Sequence, residues 1–437
     1  MSVTFGLHRV TALRIALFLV ATVSFIASAA DFKIQSFRTN GLVTWTNGFS
    51  NGVCSVEAKT DLNQLWIPGP AVFTSNRTGQ IRFVVPKNTC FYRLRLVDVS
   101  GTPQGFTNLT ESYGILETLA GKGGYEADYA SYWSEDFEGG NATDANLSRP
   151  HIAMADLLGN IYIADKNSHS VLKLTTNGTI HTVAGTHEQG FNGDGPTNAT
   201  LLRLDSPNGL WVRKDGTVFI LDTDNGKVRK LATNGVMTTV FTSNTTNISG
   251  GRGLWVRDDE QLIYYSAGEK LKKWTPASGT KNINTNFVEL GNIAVDAAGQ
   301  IIATDRGASY VYKVDPSSGV RTVIAGNGTW FGGGDGYAAT NTGLAGVRGV
   351  WIMPNRGLLL ATHEGSQIWY LDTAGIIHLF VDGARWWHDG DGQWFHSTGY
   401  KVSEPRAVTM DYEGNILITE SDYGFVRRIR FVRMPPD

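Results

Sequence analysis

The chain of 437 residues has only two cysteines, Cys54 and Cys90. So few exclude a disulfide-dense scaffold and any zinc site built from paired thiolates. Charge is also scarce: Asp, Glu, Lys and Arg make up 18% of the residues, and the formal net charge is −2. There is no basic footprint for nucleic acid or for an anionic membrane surface. Past the N-terminus no apolar run approaches the roughly 20 residues that span a bilayer. A G-x-S-x-G elbow is missing, and no cysteine is placed for attack, so nucleophile catalysis has no foothold. Glycine is plentiful at 51 residues and aromatics reach 11%. With many Thr and Asn, that mix predicts a turn-rich, all-β chain.

Residues 1–30 read as a secretory signal. MSVTFGLHRVTALR carries the positive charge, and IALFLVATVSFIASA is the apolar stretch. The small residues Ala27-Ser28-Ala29-Ala30 place a cleavage site near Ala29 or Ala30. An uncleaved anchor is the alternative, but about 16 apolar residues are short for a span. Export implies a secreted, periplasmic or cell-surface location, with no membrane segment after cleavage. It also favours a Cys54–Cys90 disulfide. Nine Asn-x-Ser/Thr triplets occur; they are glycan acceptors only in a eukaryotic route.

Residues 31–100 alternate apolar and polar positions between Gly, Pro and Asn turns, which predicts an Ig- or fibronectin-like β-sandwich. Residues 101–112 are polar and read as a linker. From 113 to 437 the chain repeats, with copies starting at Arg149, Ser206, Gly251, Leu290, Val347 and Glu404. Each copy holds four short apolar runs, the pattern of a six-bladed β-propeller. The last copy lacks its fourth run, and YGILETLAG, Tyr113–Gly121, supplies it from the N-terminal side. A strand closing the last blade leaves no open edge.

The recurring G-N-I-Y-I-A-D, V-x-K and N-G-x-I-x-T-V-A-G segments resemble the NHL repeat. GFNGDGPTNATLLRLDSP resembles that family's linking loop. The likeness covers about 325 residues and is weakest in the third copy, where YYSAG replaces the Asp-containing turn. The first unit is similar to small β-modules placed ahead of such propellers in exported bacterial proteins. Some propellers of this kind are lyases or lactone hydrolases with His and acids at the axial mouth, and Glu420, His363 and His151 are the residues that fit.

If the strands of a blade are labelled a to d from the axis outward, the d-to-a connections and b-to-c turns share one face. The long connections 122–149, 186–206, 327–346 and 384–404 all lie there, and loops on a rigid scaffold are where binding residues concentrate. Two sets of residues are expected to ring the mouth. The ends of strand b give Asp165, Asp222, Ser266, Asp305, His363 and Glu420. The starts of strand a give His151, Asn208, Arg252, Gly291, Arg348 and Arg406. Either the rings bind a ligand or cation on the axis, or each acid caps its own turn and pairs with a neighbouring Arg. In the loops, Trp330, Trp386, Trp387 and Trp394 are the aromatic contact candidates. No cofactor is expected. Thin candidates exist for Ca²⁺ at Asp194, Asp335, Asp389 and Asp391 and for Zn²⁺ at His151, with no motif behind them. The expectation is a monomeric exported binding or scaffold protein whose long-loop face recognises an extracellular protein or glycan. The alternatives are a metal-assisted lyase or hydrolase at the channel mouth and a passive spacer.

Overall fold

The structure is a computed structural model that describes residues 19–23, 32–38, 40–61, 63–64, 66–83, 91–123, 130–243, 248 and 250–432. It is all-β apart from short helical turns. Between residues 116 and 429 lie six successive antiparallel sheets, each ordered a-b-c-d. The first five have their inner strands a at Pro150–Ala155, Pro207–Val212, Leu254–Val256, Leu290–Val295 and Val347–Ile352. The sixth starts at Pro405–Met410. Each strand a touches strand a of both neighbouring blades, and the sixth returns to the first. This is a closed β-propeller.

Why these segments fold so is visible in blade 1. Its strand b, Ile161–Asp165, is buried along its whole length, because neighbouring sheets cover both of its faces. The a-to-b hairpin turns on Asp156, whose Oδ1 accepts the N–H groups of Leu158 and Asn160 at 2.9 Å. Gly159 takes the left-handed φ of 84° that this turn needs. Asp296 and Asp411 bond the turns of blades 4 and 6 in the same way.

The N-terminal unit has two sheets. One joins β2 (Lys33–Phe37), β3 (Leu42–Thr46) and β6 (Gly79–Arg82). The other is built on β4 (Gly52–Lys59), β5 (Ile67–Thr74) and β7 (Phe91–Asp98), with β1 (Leu19–Val23) lying parallel to β7. The rest of the expected signal lies outside the described residues. Trp45, Cys54, Tyr92, Leu94 and Leu96 fill the space between the sheets. Cys54 is fully buried, and burial pushes the pKa of its thiol, when reduced, well up. Its expected partner Cys90 lies outside the described residues.

The segment expected to be a polar tether contains a helix, α1 (Pro103–Thr110), with Pro103 in the first turn and Thr102 Oγ1 capping the Gly105 N–H. Its Phe106 stacks on His378 at 4.3 Å, which docks the connection on blade 5. The strand that follows, β8 (Leu116–Ala120), pairs antiparallel with Phe425–Ile429 and completes blade 6. The first unit sits against the a-to-b turns: Phe73 stacks on Phe431 at 4.6 Å, and Asn355 Nδ2 donates to the Val99 carbonyl at 3.0 Å. A cavity of about 830 Å³ remains there, walled by Phe73, Trp211, Trp351 and Met410. The long-loop face is at the other end of the ring.

Candidate functional site

The acids at the end of strand b do not face the mouth. Asp165, Asp222, Asp305 and Glu420 are fully buried and bond the backbone entering strand a of their own blade. The N–H of Ser148 donates to Asp165 Oδ1 at 2.7 Å and that of Asp205 to Asp222 Oδ1 at 2.7 Å. Val288 and Glu289 donate to Asp305, and Ser403 donates to Glu420. Ser266 Oγ accepts from Arg252 and Gly253 in the same way. Asp222 and Glu420 are further paired with Arg229 and Arg427, two guanidiniums buried at matching places in strand c. These acids latch loops, the second of the two readings their positions left open, and not a ligand ring.

The loop acids proposed for Ca²⁺ also have protein partners. Asp194 Oδ1 accepts from Thr239 Oγ1 at 2.6 Å, Asp335 Oδ1 from the Leu379 N–H at 3.0 Å and Asp391 Oδ2 from Thr118 Oγ1 at 2.7 Å. In the first long loop, Glu138 Oε2 accepts the Thr182 N–H at 2.9 Å. All four partners sit near the middle of an outer strand d, in the blade that the loop enters. Each long loop thus folds back over the edge of the next blade and pins itself there. Thr197–Asn198 even adds a short fifth strand to blade 2. Asp389 accepts from the Gly390 N–H. None of these acids belongs to a metal-type cluster among the described residues.

What does face the mouth is the start of strand a together with the first residues of the b-to-c turns. Alternation along a strand explains the shift: with Asp305, Glu420 and their equivalents aimed at the loops, the next one or two positions turn to the axis. Arg306, Glu364 and Asp422 arrive this way. A left-handed residue stands two positions before the mouth residue in five blades: Arg149, Ser206, Gly250, Gly346 and Glu404. That kink aims His151, Asn208, Arg252, Arg348 and Arg406. Only two of the five are glycine, so composition gave little sign of it.

Blades 4, 5, 6 and 1 surround a pocket of about 360 Å³ at the mouth. Its floor is charged. Arg306 donates to Glu289 and Glu364, and Arg348 Nη2 to Glu364 Oε1 at 3.3 Å. Arg406 Nη2 donates to Asp422 Oδ1 at 2.9 Å, and Arg149 Nε joins the same oxygen at 3.3 Å. Arg385 Nε sits 2.9 Å from Glu404. Arg406 Nη1 meets His151 Nε2 at 3.1 Å, and the other nitrogen of His151 meets Asn208. Arg252 pairs with Glu289 just outside the pocket.

Burial opposes charge on Asp422, yet His363, 3.3 Å from its Oδ2, and the Arg406 and Arg149 charges hold its carboxyl well below the usual range. Burial likewise opposes charge on Glu364, which His363, Arg306 and Arg348 hold well down. Burial and the neighbouring arginines keep His151 neutral. Burial with the Arg406, Arg252 and Arg306 charges pulls Arg348 well below an ordinary arginine. Burial also brings Arg406 down, to about 10, although Asp422 opposes the shift.

Trp330 and Trp386 form the walls, 53% and 46% exposed. Trp386 holds a left-handed φ of 67°, rare for a bulky residue and common where a site fixes its geometry. Arg385 lies over its ring at 4.5 Å. Trp387 is exposed and meets Tyr400 edge-on. Trp394 is partly buried, packs against the core beside Phe395 and does not line the mouth pocket.

His363, Glu404 and Asp422 form the one three-ligand cluster among the described residues, their donor atoms within 4.8 Å of one another. Its chemistry suits a divalent ion poorly. Arg406 and Arg149 hold one oxygen of Asp422 and Arg385 holds one of Glu404, so an ion at the cluster would sit beside three fixed positive charges.

No family model matches the chain, and no curated protein matches it. Solved structures do. A protein of unknown function from Bacteroides thetaiotaomicron matches over 93% of this chain and 99% of its own, at TM-score 0.58 and 14% identity. An auxiliary nutrient binding protein from Bacteroides ovatus matches over 89% and 93%, at TM-score 0.55 and 12% identity. A protein of the same description from Bacteroides thetaiotaomicron matches over 93% and 98%, at 0.54 and 13%. At such identities the likeness is one of fold. It extends over both units of this chain.

Proposed function

We propose that this is an exported binding protein of the NHL-propeller type that captures a glycan in the mouth pocket of its long-loop face. One observation carries the reading: two half-exposed tryptophans stand over a polar, buried floor in a concave site of about 360 Å³. Flat aromatic faces beside fixed hydrogen-bonding groups suit a sugar ring. A protein partner needs roughly 800 Å² on each side, which a pocket of this size does not offer by itself. The binding role of the fold neighbours from Bacteroides agrees with this reading. Cleavage near Ala29 or Ala30 and a Cys54–Cys90 bridge belong to the same proposal, since both follow from export. The paired state of Asp422 and Glu404 supports binding over metal-assisted lyase or hydrolase chemistry.

Trp330→Ala and Trp386→Ala test it. Each is expected to weaken capture of the glycan by about tenfold, equivalent to ~1.4 kcal/mol, with the melting temperature unchanged. Trp387→Ala, outside the pocket, serves as the control. Equal capture by all three variants on an oligosaccharide array, read against the unaltered protein, sinks the assignment.

A further inference from the structure

We propose that the mouth pocket seats an oxyanion, the carboxylate or sulfate of an acidic sugar, on Arg348 and Arg406. The inference rests on the mouth being the glycan site and adds which glycans it takes.

Three observations lead there. The first is a charge imbalance. Among the described residues, Arg149, Arg252, Arg306, Arg348, Arg385 and Arg406 converge on the mouth, while the carboxylates that pair with them there are four: Glu289, Glu364, Glu404 and Asp422. The second is unused hydrogen-bonding capacity. Arg348 and Arg406 are more than nine-tenths buried, yet Nε and Nη1 of Arg348 and Nε of Arg406 have no hydrogen-bond partner, and in the same pocket Glu364 Oε2, Glu404 Oε2 and both nitrogens of His363 are also without one. Buried donors are bonded in the great majority of native structures, and both guanidiniums line the pocket, so an acceptor that reaches them there would relieve the vacancy. The third is the character of the existing pairs. Glu364 reaches Arg348 through a single contact at 3.3 Å and is shared with Arg306. Asp422 is shared among Arg406, Arg149 and His363.

A neutral sugar would leave the guanidinium nitrogens facing hydroxyl groups and the positive excess uncompensated. A cation would add to that excess. An oxyanion supplies both the acceptors and the charge, and guanidinium groups bind carboxylate and sulfate better than any other side chain. Trp330 and Trp386 then flank the ring that carries the group. No bond is made or broken in this step.

The test is calorimetric titration of the full chain with five probes. They are tetragalacturonic acid, a sulfated carrageenan tetrasaccharide, neutral cellotetraose, inorganic sulfate and hexaglutamate. An acidic tetrasaccharide is expected to bind on the order of tenfold or more tighter than the neutral one. Its affinity should fall as NaCl rises, and inorganic sulfate should compete for the site. Which of the two acidic sugars binds tells carboxylate from sulfate. Arg348→Gln is expected to abolish the preference for the acidic sugar while leaving residual affinity for the ring. If that variant unfolds, the salt dependence and the sulfate competition in the unaltered protein still decide.

Cellotetraose binding as tightly as the acidic sugars, without salt dependence, overturns the oxyanion seat and leaves the glycan reading intact. Hexaglutamate or sulfate binding with no sugar bound overturns the acidic-sugar proposal together with the glycan reading. Binding of none of the five overturns both.

Discussion

Asp165 bonds the Ser148 N–H with one carboxylate oxygen, and its other oxygen is buried without a partner. Burial raises its pKa to about 7. The folded chain therefore holds this proton more tightly than the unfolded chain, where an aspartate titrates near 4. The stabilisation is complete below about pH 4 and is lost as the pH rises towards 7. Asp165→Asn keeps an acceptor for Ser148 and removes the titration. Melting temperatures measured from pH 4 to 8 should decline less across that window in the variant than in the unaltered protein, a difference of roughly a few kcal/mol. Parallel profiles would show that Asp165 is solvated or paired. The sequence marked this residue correctly as the end of strand b. Which way its side chain turns depends on the Ser148 N–H, and that in turn depends on how the incoming loop closes. Lys166, Arg306, Glu364 and Asp422 stood one or two positions along and follow from the same alternation once the capping alternative is taken for the acids.

At the scale of elements, the long loops answer for the Gly-Asp-Gly pattern. Their length takes them over the outer edge of the next blade, and Glu138, Asp194, Asp335 and Asp391 pin them there. An open strand edge is a site for unwanted pairing, and these loops cover it. Asp194→Ala and Asp335→Ala should each lower stability by about 0.5–1.5 kcal/mol in urea unfolding, with glycan capture unchanged. A loss of capture without a loss of stability would place those acids in the binding site. The spacing of the loops was plain in the sequence. Their role was not, because Asp391 finds its partner Thr118 at a separation of 273 residues. Loop 384–404 combines both duties. Trp386 walls the pocket, while Phe395 is buried among Tyr113 and Phe380. Shortening that loop would remove core as well as site, so single substitutions are the sound probe. The linker hid its helix for a related reason: PQGFTNLT has only two large apolar residues, Phe106 and Leu109 on one face, and docking of Phe106 on His378 holds it.

For the whole molecule, the most legible feature was closure. The missing fourth strand of the last copy and the orphan strand at Tyr113–Gly121 required each other, and β8 pairs with Phe425–Ile429 as expected. The same connection brings the first unit to the a-to-b turns, at the opposite end of the ring from the long loops. Among the described residues, an apolar cavity of about 830 Å³ lies beneath that unit and a charged one of about 360 Å³ at the mouth. The proposed ligand belongs in the second. Hydrogen–deuterium exchange with and without the captured oligosaccharide separates them most directly. Protection is expected at 329–333, 346–349 and 384–388, around Trp330, Arg348 and Trp386. Protection at 352–354 and 410–415 instead, with the long loops unchanged, would contradict it.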